Sequence, residues 1–188
     1  MLIRFVFHNP IGERGVGKLI VGYTWLLGLF YNWKVLKYNF SHMELWIPDE
    51  NGNFYNGQCF SSTTRGDWNG VRFAPASEVL KHPERWSYIE GEVENFRCEV
   101  AIEEARKLVG KAYDYGYILS FLQPFIVQKE KAWACSEICD WFAYLCRIFP
   151  KKHRRISPRR FAYILSRIWG ELKQLVWGSF AQNGEKLG

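Results

Sequence analysis

Phe40-Ser41-His42-Met43-Glu44-Leu45-Trp46-Ile47 is the stretch from which the rest of the chain can be ordered. Side chains along it alternate with the two-residue period of a β-strand. Met43, Leu45 and Ile47 share one face, which should be core, and His42, Glu44 and Trp46 share the other, less apolar one. A histidine and a carboxylate therefore stand two residues apart on the same face. A carboxylate beside an imidazole raises its pKa and can fix its tautomer. The spacing also sets a condition. Residues i and i+2 lie ~6.5 Å apart along a strand, so Glu44 must lean to reach the ring.

Working outward, Asp49-Glu-Asn-Gly-Asn53 is a turn cluster, which predicts a hairpin partner near 54–62. Upstream, residues 2–7 suggest a strand, 8–17 a Gly-rich loop and 18–31 an apolar helix. Downstream, 63–70 reads as a loop, 71–73 as a short strand, 75–80 as a short helix and 86–93 as a further strand. Residues 97–109 have helical spacing, with Val100, Ala101, Ala105, Leu108 and Val109 on one side. A second helix should run from Cys135 to Phe149, ended by Pro150. A third opens at Ser157-Pro158, a hydroxyl cap followed by proline in the first helical position. Hairpin strands and separate helices together predict an α+β fold in one domain over 1–188.

The chain has 188 residues, with 25 Lys+Arg against 19 Asp+Glu, and 48% hydrophobic residues, a composition that excludes disordered and fibrous classes. Lys151, Lys152, Arg154, Arg155, Arg159 and Arg160 carry the whole net charge of +6 within ten residues. Such a segment is either a solvated loop and helix entry or a contact for phosphates, at an anionic membrane surface or on nucleic acid without base reading. The charge-free run Leu19–Trp33 is shorter than the ~20 residues a membrane-crossing helix needs. With no signal peptide in view, a soluble, cytoplasmic protein is expected, or one acting in the host cell if the chain is of phage origin.

Two motif candidates fail on their chemistry. Gly12-Glu-Arg-Gly-Val-Gly17-Lys18 matches a phosphate-binding loop except that Leu19 stands where Ser or Thr must hold magnesium. Cys135, Cys139, Cys146 and His153 lack zinc-knuckle spacing. Neither metal nor cofactor is expected.

Trp133-Ala134-Cys135-Ser136-Glu137 places a thiol at the start of a long helix, with Ile138, Phe142, Leu145 and Phe149 as its buried stripe. Unpaired N–H groups and the dipole at that end favour thiolate. Glu137 should help satisfy the same helix end. Cys135 together with His42 supplies the parts of a nucleophilic Cys–His site.

The order of these parts, S-H-x-E-L on an early strand and C-S-E opening a late helix about ninety residues on, resembles the permuted NlpC-like branch of the papain fold. That branch includes bacterial YiiX-like proteins and bacteriophage relatives, and the lecithin:retinol acyltransferase group is related to it. Gly17-Lys-Leu-Ile20, Ser61-Ser62 with Gly70-Val71-Arg72, Gly110-x-x-Tyr113-Asp114-Tyr115 and Ser157-Pro158 extend the resemblance over roughly 15–168. It implies a circularly permuted papain-like fold, an antiparallel sheet packed against helices that include the cysteine helix. It also implies Cys135 as nucleophile and His42 as base. The strand after the histidine offers no acid, so Glu44 is the first choice for the orienting residue, with Gln58 or Ser61 as alternatives. The function implied is a thiol amidase or endopeptidase acting on peptide-like bonds such as those of cell wall. Two alternatives stand beside it: a thiol acyltransferase or lipid-directed hydrolase, and a non-catalytic protein binding anionic lipid or nucleic acid through the basic segment.

Overall fold

The computed structural model describes residues 1–10, 22, 38, 40–65, 67–119, 132–153 and 155–176. The strands are β1 (Leu2–His8), β2 (His42–Ile47), β3 (Gln58–Thr63), β4 (Gly70–Pro75), β5 (Trp86–Glu92), β6 (Ala112–Tyr113), β7 (Ala132–Trp133) and β8 (Lys173–Gln174). Six of them form an antiparallel sheet in the order β4-β3-β2-β1-β5-β8, and β6 and β7 form a separate parallel pair. The helices are α1 (Ala76–Val79), α2 (Asn95–Arg106), α3 (Tyr115–Leu119), α4 (Cys135–Leu145) and α5 (Pro158–Trp169). The chain is thus mixed α+β, with an antiparallel sheet packed against helices. The apolar helix expected over 18–31 and the Gly12–Lys18 loop lie outside the described residues, apart from Gly22.

One face of the sheet carries the main core. Phe5, Phe7, Met43, Leu45, Phe60 and Ile89 point there and meet Ile138, Cys139 and Phe142 of α4 and Phe161 and Leu165 of α5. The other face, expected to be the less apolar, buries a second, smaller cluster around Val6, Trp46, Cys59, Leu80 and Trp86. All six residues of β2 are consequently buried. The alternation of β2 separates two interiors here, where a half-exposed strand would separate interior from water.

The helices refine the sequence reading in two places. The buried side of α2 is Cys98, Ala101 and Ala105, which faces α4, whereas Val100 and Val109 are 44% and 49% exposed. The apolar surplus of that stretch suggested a broader stripe than the neighbouring helix can cover. Helix α4 stops at Leu145, short of Phe149, because Arg147 turns to a positive φ of 56° and Ile148 and Phe149 both donate back to the Ala143 carbonyl. Helix α5 begins as expected, with the Ser157 hydroxyl accepting from Arg160 N–H and Pro158 in the first turn.

Strand β4 is fastened at its start by Gly70, whose φ of +117° suits glycine. A Cβ there would run into the Lys111 carbonyl, which accepts from Val71 N–H at 2.8 Å. Replacing Gly70 with alanine is expected to lower the unfolding free energy by roughly 1–3 kcal/mol through this overlap. Urea denaturation measures it, and an unchanged midpoint would refute the claimed close approach.

Candidate active site

Register places the candidate residues. His8 of β1 lies opposite both His42 of β2 and Trp86 of β5, forming one row across the sheet. The next row holds Val6 opposite Glu44, and Ser61 opposite Arg72. Both rows are on the face away from α4. A slip of one residue between β1 and β2 would send His42 and Glu44 to the other face, so the strand pairing itself sets the site.

Glu44 does lean to its neighbour: Glu44 Oε1 lies 3.0 Å from His42 Nε2. It is also gripped from the other side, Arg72 Nη2 donating to Oε1 at 2.6 Å and Nη1 to Oε2 at 2.9 Å. Arg72 reaches across β3 because the residue between them is the small Ser61. His42, Glu44 and Arg72 are 4%, 1% and 7% exposed. Burial alone would raise the Glu44 carboxyl, but Arg72 and His42 outweigh it and hold it down at about 2. Burial lowers His42 to about 4 against the pull of Glu44, whose charge is already matched by Arg72. An ionised carboxylate can only accept, so His42 Nε2 carries the proton and Nδ1 keeps its lone pair.

Among the sequence alternatives, Ser61 donates its hydroxyl to the Met43 carbonyl at 2.9 Å, on the same face as Glu44. Gln58 pairs with Ile47 at the far end of β2 and is exposed, remote from His42. Glu44 is the residue that touches the imidazole.

Cys135 opens α4 as expected, yet it is only 3% exposed. Burial pushes its thiol up to about 11, and the Met43 N–H that it faces, together with Arg65, offsets this only partly. The favourable helix end is outweighed by desolvation. The sulfur approaches β2 from the main-core side, at the residue next to His42. Among the described residues the imidazole bonds to Glu44, and no hydrogen bond joins it to the sulfur. Arg65 acts electrostatically on both groups and donates to Ser41 Oγ at 3.1 Å. Glu137 approaches Ala134 N–H at 3.5 Å and Lys152 at 3.6 Å, the helix-end role expected for it.

The remaining candidates are engaged elsewhere. Cys139 faces Leu45 N–H, Cys146 faces the Cys98 thiol, and His153 Nδ1 lies 2.6 Å from buried Asp140. The basic segment is less available than its sequence suggests. Arg159 is 1% exposed, and Lys152 is tied to Glu137 and lies over the Trp133 ring at 4.8 Å. Lys151 and Arg160 are exposed, and Arg154 lies outside the described residues.

Sequence reasoning missed Arg72 and Arg65. For Arg72 a signal existed: an arginine between Val71 and Phe73 in a short apolar strand needs a buried acid, and Glu44 is the acid on the matching face. Arg65 sits in a loop, where nothing local indicates its reach.

Burial of a neutral His42 makes stability depend on pH. The unfolded chain takes the proton near 6.5 and the folded one near 4, so this contribution is complete above pH 6.5 and lost as pH falls towards 4. About 3 kcal/mol should disappear over that window. The depressed Glu44 adds a further loss between about 4.5 and about 2. Urea midpoints of wild type and His42→Gln at pH 7 and 4.5 test this: the wild type should lose more than the variant. Equal losses would show that His42 does not carry the effect.

Among the described residues no helix is long and apolar enough to cross a membrane. Compared with models of protein families, with curated proteins and with solved structures, the chain matches none.

Proposed function

We propose that the chain is a thiol hydrolase of the permuted NlpC-like papain type, cleaving an amide or peptide-like bond with Cys135, His42 and Glu44. The observation that carries this reading is the convergence on one stretch of backbone. A cysteine at a helix start faces the N–H of Met43, and the adjacent residue is a histidine clamped by a buried, arginine-held carboxylate.

The pKa directions favour one form of the mechanism. With the thiol near 11 and the imidazole near 4, both are neutral at rest, so His42 acts as a general base rather than as half of a standing ion pair. Its Nδ1 takes the thiol proton as sulfur bonds to the acyl carbon. The proton then passes to the leaving amine as the C–N bond breaks. Water cleaves the thioester, releasing the acid and regenerating the thiol. Glu44 is a positioning residue that keeps Nε2 protonated. Cys135 N–H, in the first turn of α4, is a donor for the developing oxyanion. Because the imidazole lies with Glu44 on the face away from α4 and the sulfur on the main-core side, the proton transfer requires the His42 ring, at the first residue of β2, to swing towards the sulfur when substrate binds.

Trapping tests the proposal. Incubation with p-nitrophenyl acetate should leave one acetyl group, mapped by peptide mass spectrometry to Cys135 and absent from Cys135→Ala. A second reading, a binding protein that keeps the fold without chemistry, draws on the missing bond between sulfur and imidazole. Acylation that spared Cys135, or none at all, would favour it and defeat the hydrolase.

A further inference from the structure

All five cysteines are free thiols, and all are buried. Cys135 and Cys139 lie against the N–H groups of Met43 and Leu45, and Cys59 belongs to the smaller cluster on the other side of the sheet. Cys98 and Cys146 instead meet each other, the Cys146 S–H donating to the Cys98 sulfur. They come from different helices: Cys98 lies in the first turn of α2, and Cys146 is the capping residue at the end of α4. Both belong to the main core. Two features suit this pair to oxidation. First, the hydrogen bond from Cys146 holds the Cys98 thiol below its ordinary value against the opposing effect of burial, and it makes the proton left on Cys146 harder to remove. The pair therefore gives up one proton readily and keeps the second, whereas burial pushes the other three thiols up. Thiolate is the sulfur form that attacks an oxidant. Second, the sulfurs must close from hydrogen-bond contact to a bond of about 2 Å. Cys146 stands just before the turn at Arg147, where φ is 56° and α4 has ended, so it can shift without unwinding the helix, and it retains 4% exposure.

We propose that Cys98 and Cys146 are a redox site: hydrogen peroxide joins them in a disulfide, and a small dithiol reopens it. The Cys98 thiolate attacks one oxygen of the peroxide, the O–O bond breaks, and the hydroxide that leaves takes up the proton Cys98 released. Cys98 is then a sulfenic acid. The Cys146 sulfur attacks it, the S–O bond breaks, and the hydroxyl departs with the Cys146 proton as water. Two thiols and one peroxide thus give one disulfide and two waters, with two electrons passing from sulfur to oxygen. A dithiol reduces the bond by two successive exchanges and is itself left as a disulfide. The link staples α2 to the far end of the helix that begins with Cys135, and it forms whether or not Cys135 performs acyl chemistry.

The test uses the full chain, reduced and then treated with a slight excess of hydrogen peroxide. After catalase removes the peroxide, the protein is unfolded in N-ethylmaleimide and digested without reductant. Mass spectrometry should find the Cys98 and Cys146 peptides joined, two hydrogens lighter than their sum, with maleimide on Cys59, Cys135 and Cys139. The linked protein should unfold at a higher urea midpoint than the reduced one, because the bond closes a long loop of the unfolded chain, and dithiothreitol should return the midpoint to its starting value. Cys135→Ala should link to the same extent as the wild type, which separates this site from the hydrolase reading. Cys146→Ser should lose both the link and the peroxide-dependent rise in midpoint. Maleimide on Cys98 and Cys146, a link between any other two cysteines, or sulfinic acid on Cys98 beside a free Cys146 would each overturn the proposal. So would a linked protein no more stable than the reduced one, since the bond would then be forced on the native packing.

Discussion

Arg72→Met is expected to unfold in urea with about 3–5 kcal/mol less stability than the wild type at pH 7. The mutation removes no large apolar contact; its cost is electrostatic. Glu44 is 1% exposed and accepts two hydrogen bonds from this guanidinium. Without Arg72 the carboxylate keeps only His42 as partner, and a buried charge deprived of its partner typically costs that amount. Glu44→Gln should be similarly damaging, since it leaves the guanidinium buried against a neutral amide. The double variant Arg72→Met/Glu44→Gln should be much less destabilised than the two single losses added together, because neither charge is then stranded. Denaturation of all four proteins closes the cycle. Additive losses, or a single Arg72→Met loss below about 1 kcal/mol, would mean that the pair is not coupled as its geometry requires.

For turnover, the largest expected effect is at Cys135. If the proposed chemistry holds, Cys135→Ala should lower hydrolysis of an acyl substrate by a factor of about 10³ or more, since the covalent route is lost outright. Its urea midpoint should move little by comparison, because alanine fills most of the thiol's space at the first turn of α4. Glu44→Gln should also slow the acyl step, by about 10²-fold, and with a distinguishing sign. A neutral amide can donate to Nε2, which allows the proton to sit on Nδ1 and removes the base from the position facing the reaction. The loss should therefore appear in kcat more than in KM. Activity that survives Cys135→Ala would remove the nucleophile from the proposal. A Glu44→Gln effect confined to KM would remove only the positioning role.

The His42–Glu44 contact was legible in the sequence because it is local. Two residues in one strand share a face whatever the strand pairs with, and a Glu side chain is long enough to close the gap between them. The start of α5 was legible for the same reason, since Ser157 and Pro158 act on their own next turn. The end of α4 was less so: Pro150 marks a limit, but the backbone had already turned at Arg147.

What only the tertiary structure decided was set by partners distant in the chain. Arg72 reaches Glu44 because β4 is two strands from β2 with a serine between them. Trp46 is buried because the second face of the sheet is covered as well. Cys135 shows the division most plainly. The sequence by itself determined that it heads a helix, where local dipoles favour thiolate. Packing of that helix start against β2 decided that it is desolvated, and removing an ion from water outweighs the pull of a few N–H groups. Periodicity and capping are short-range and can be read along the chain; burial and the pairing of charges depend on which strands become neighbours.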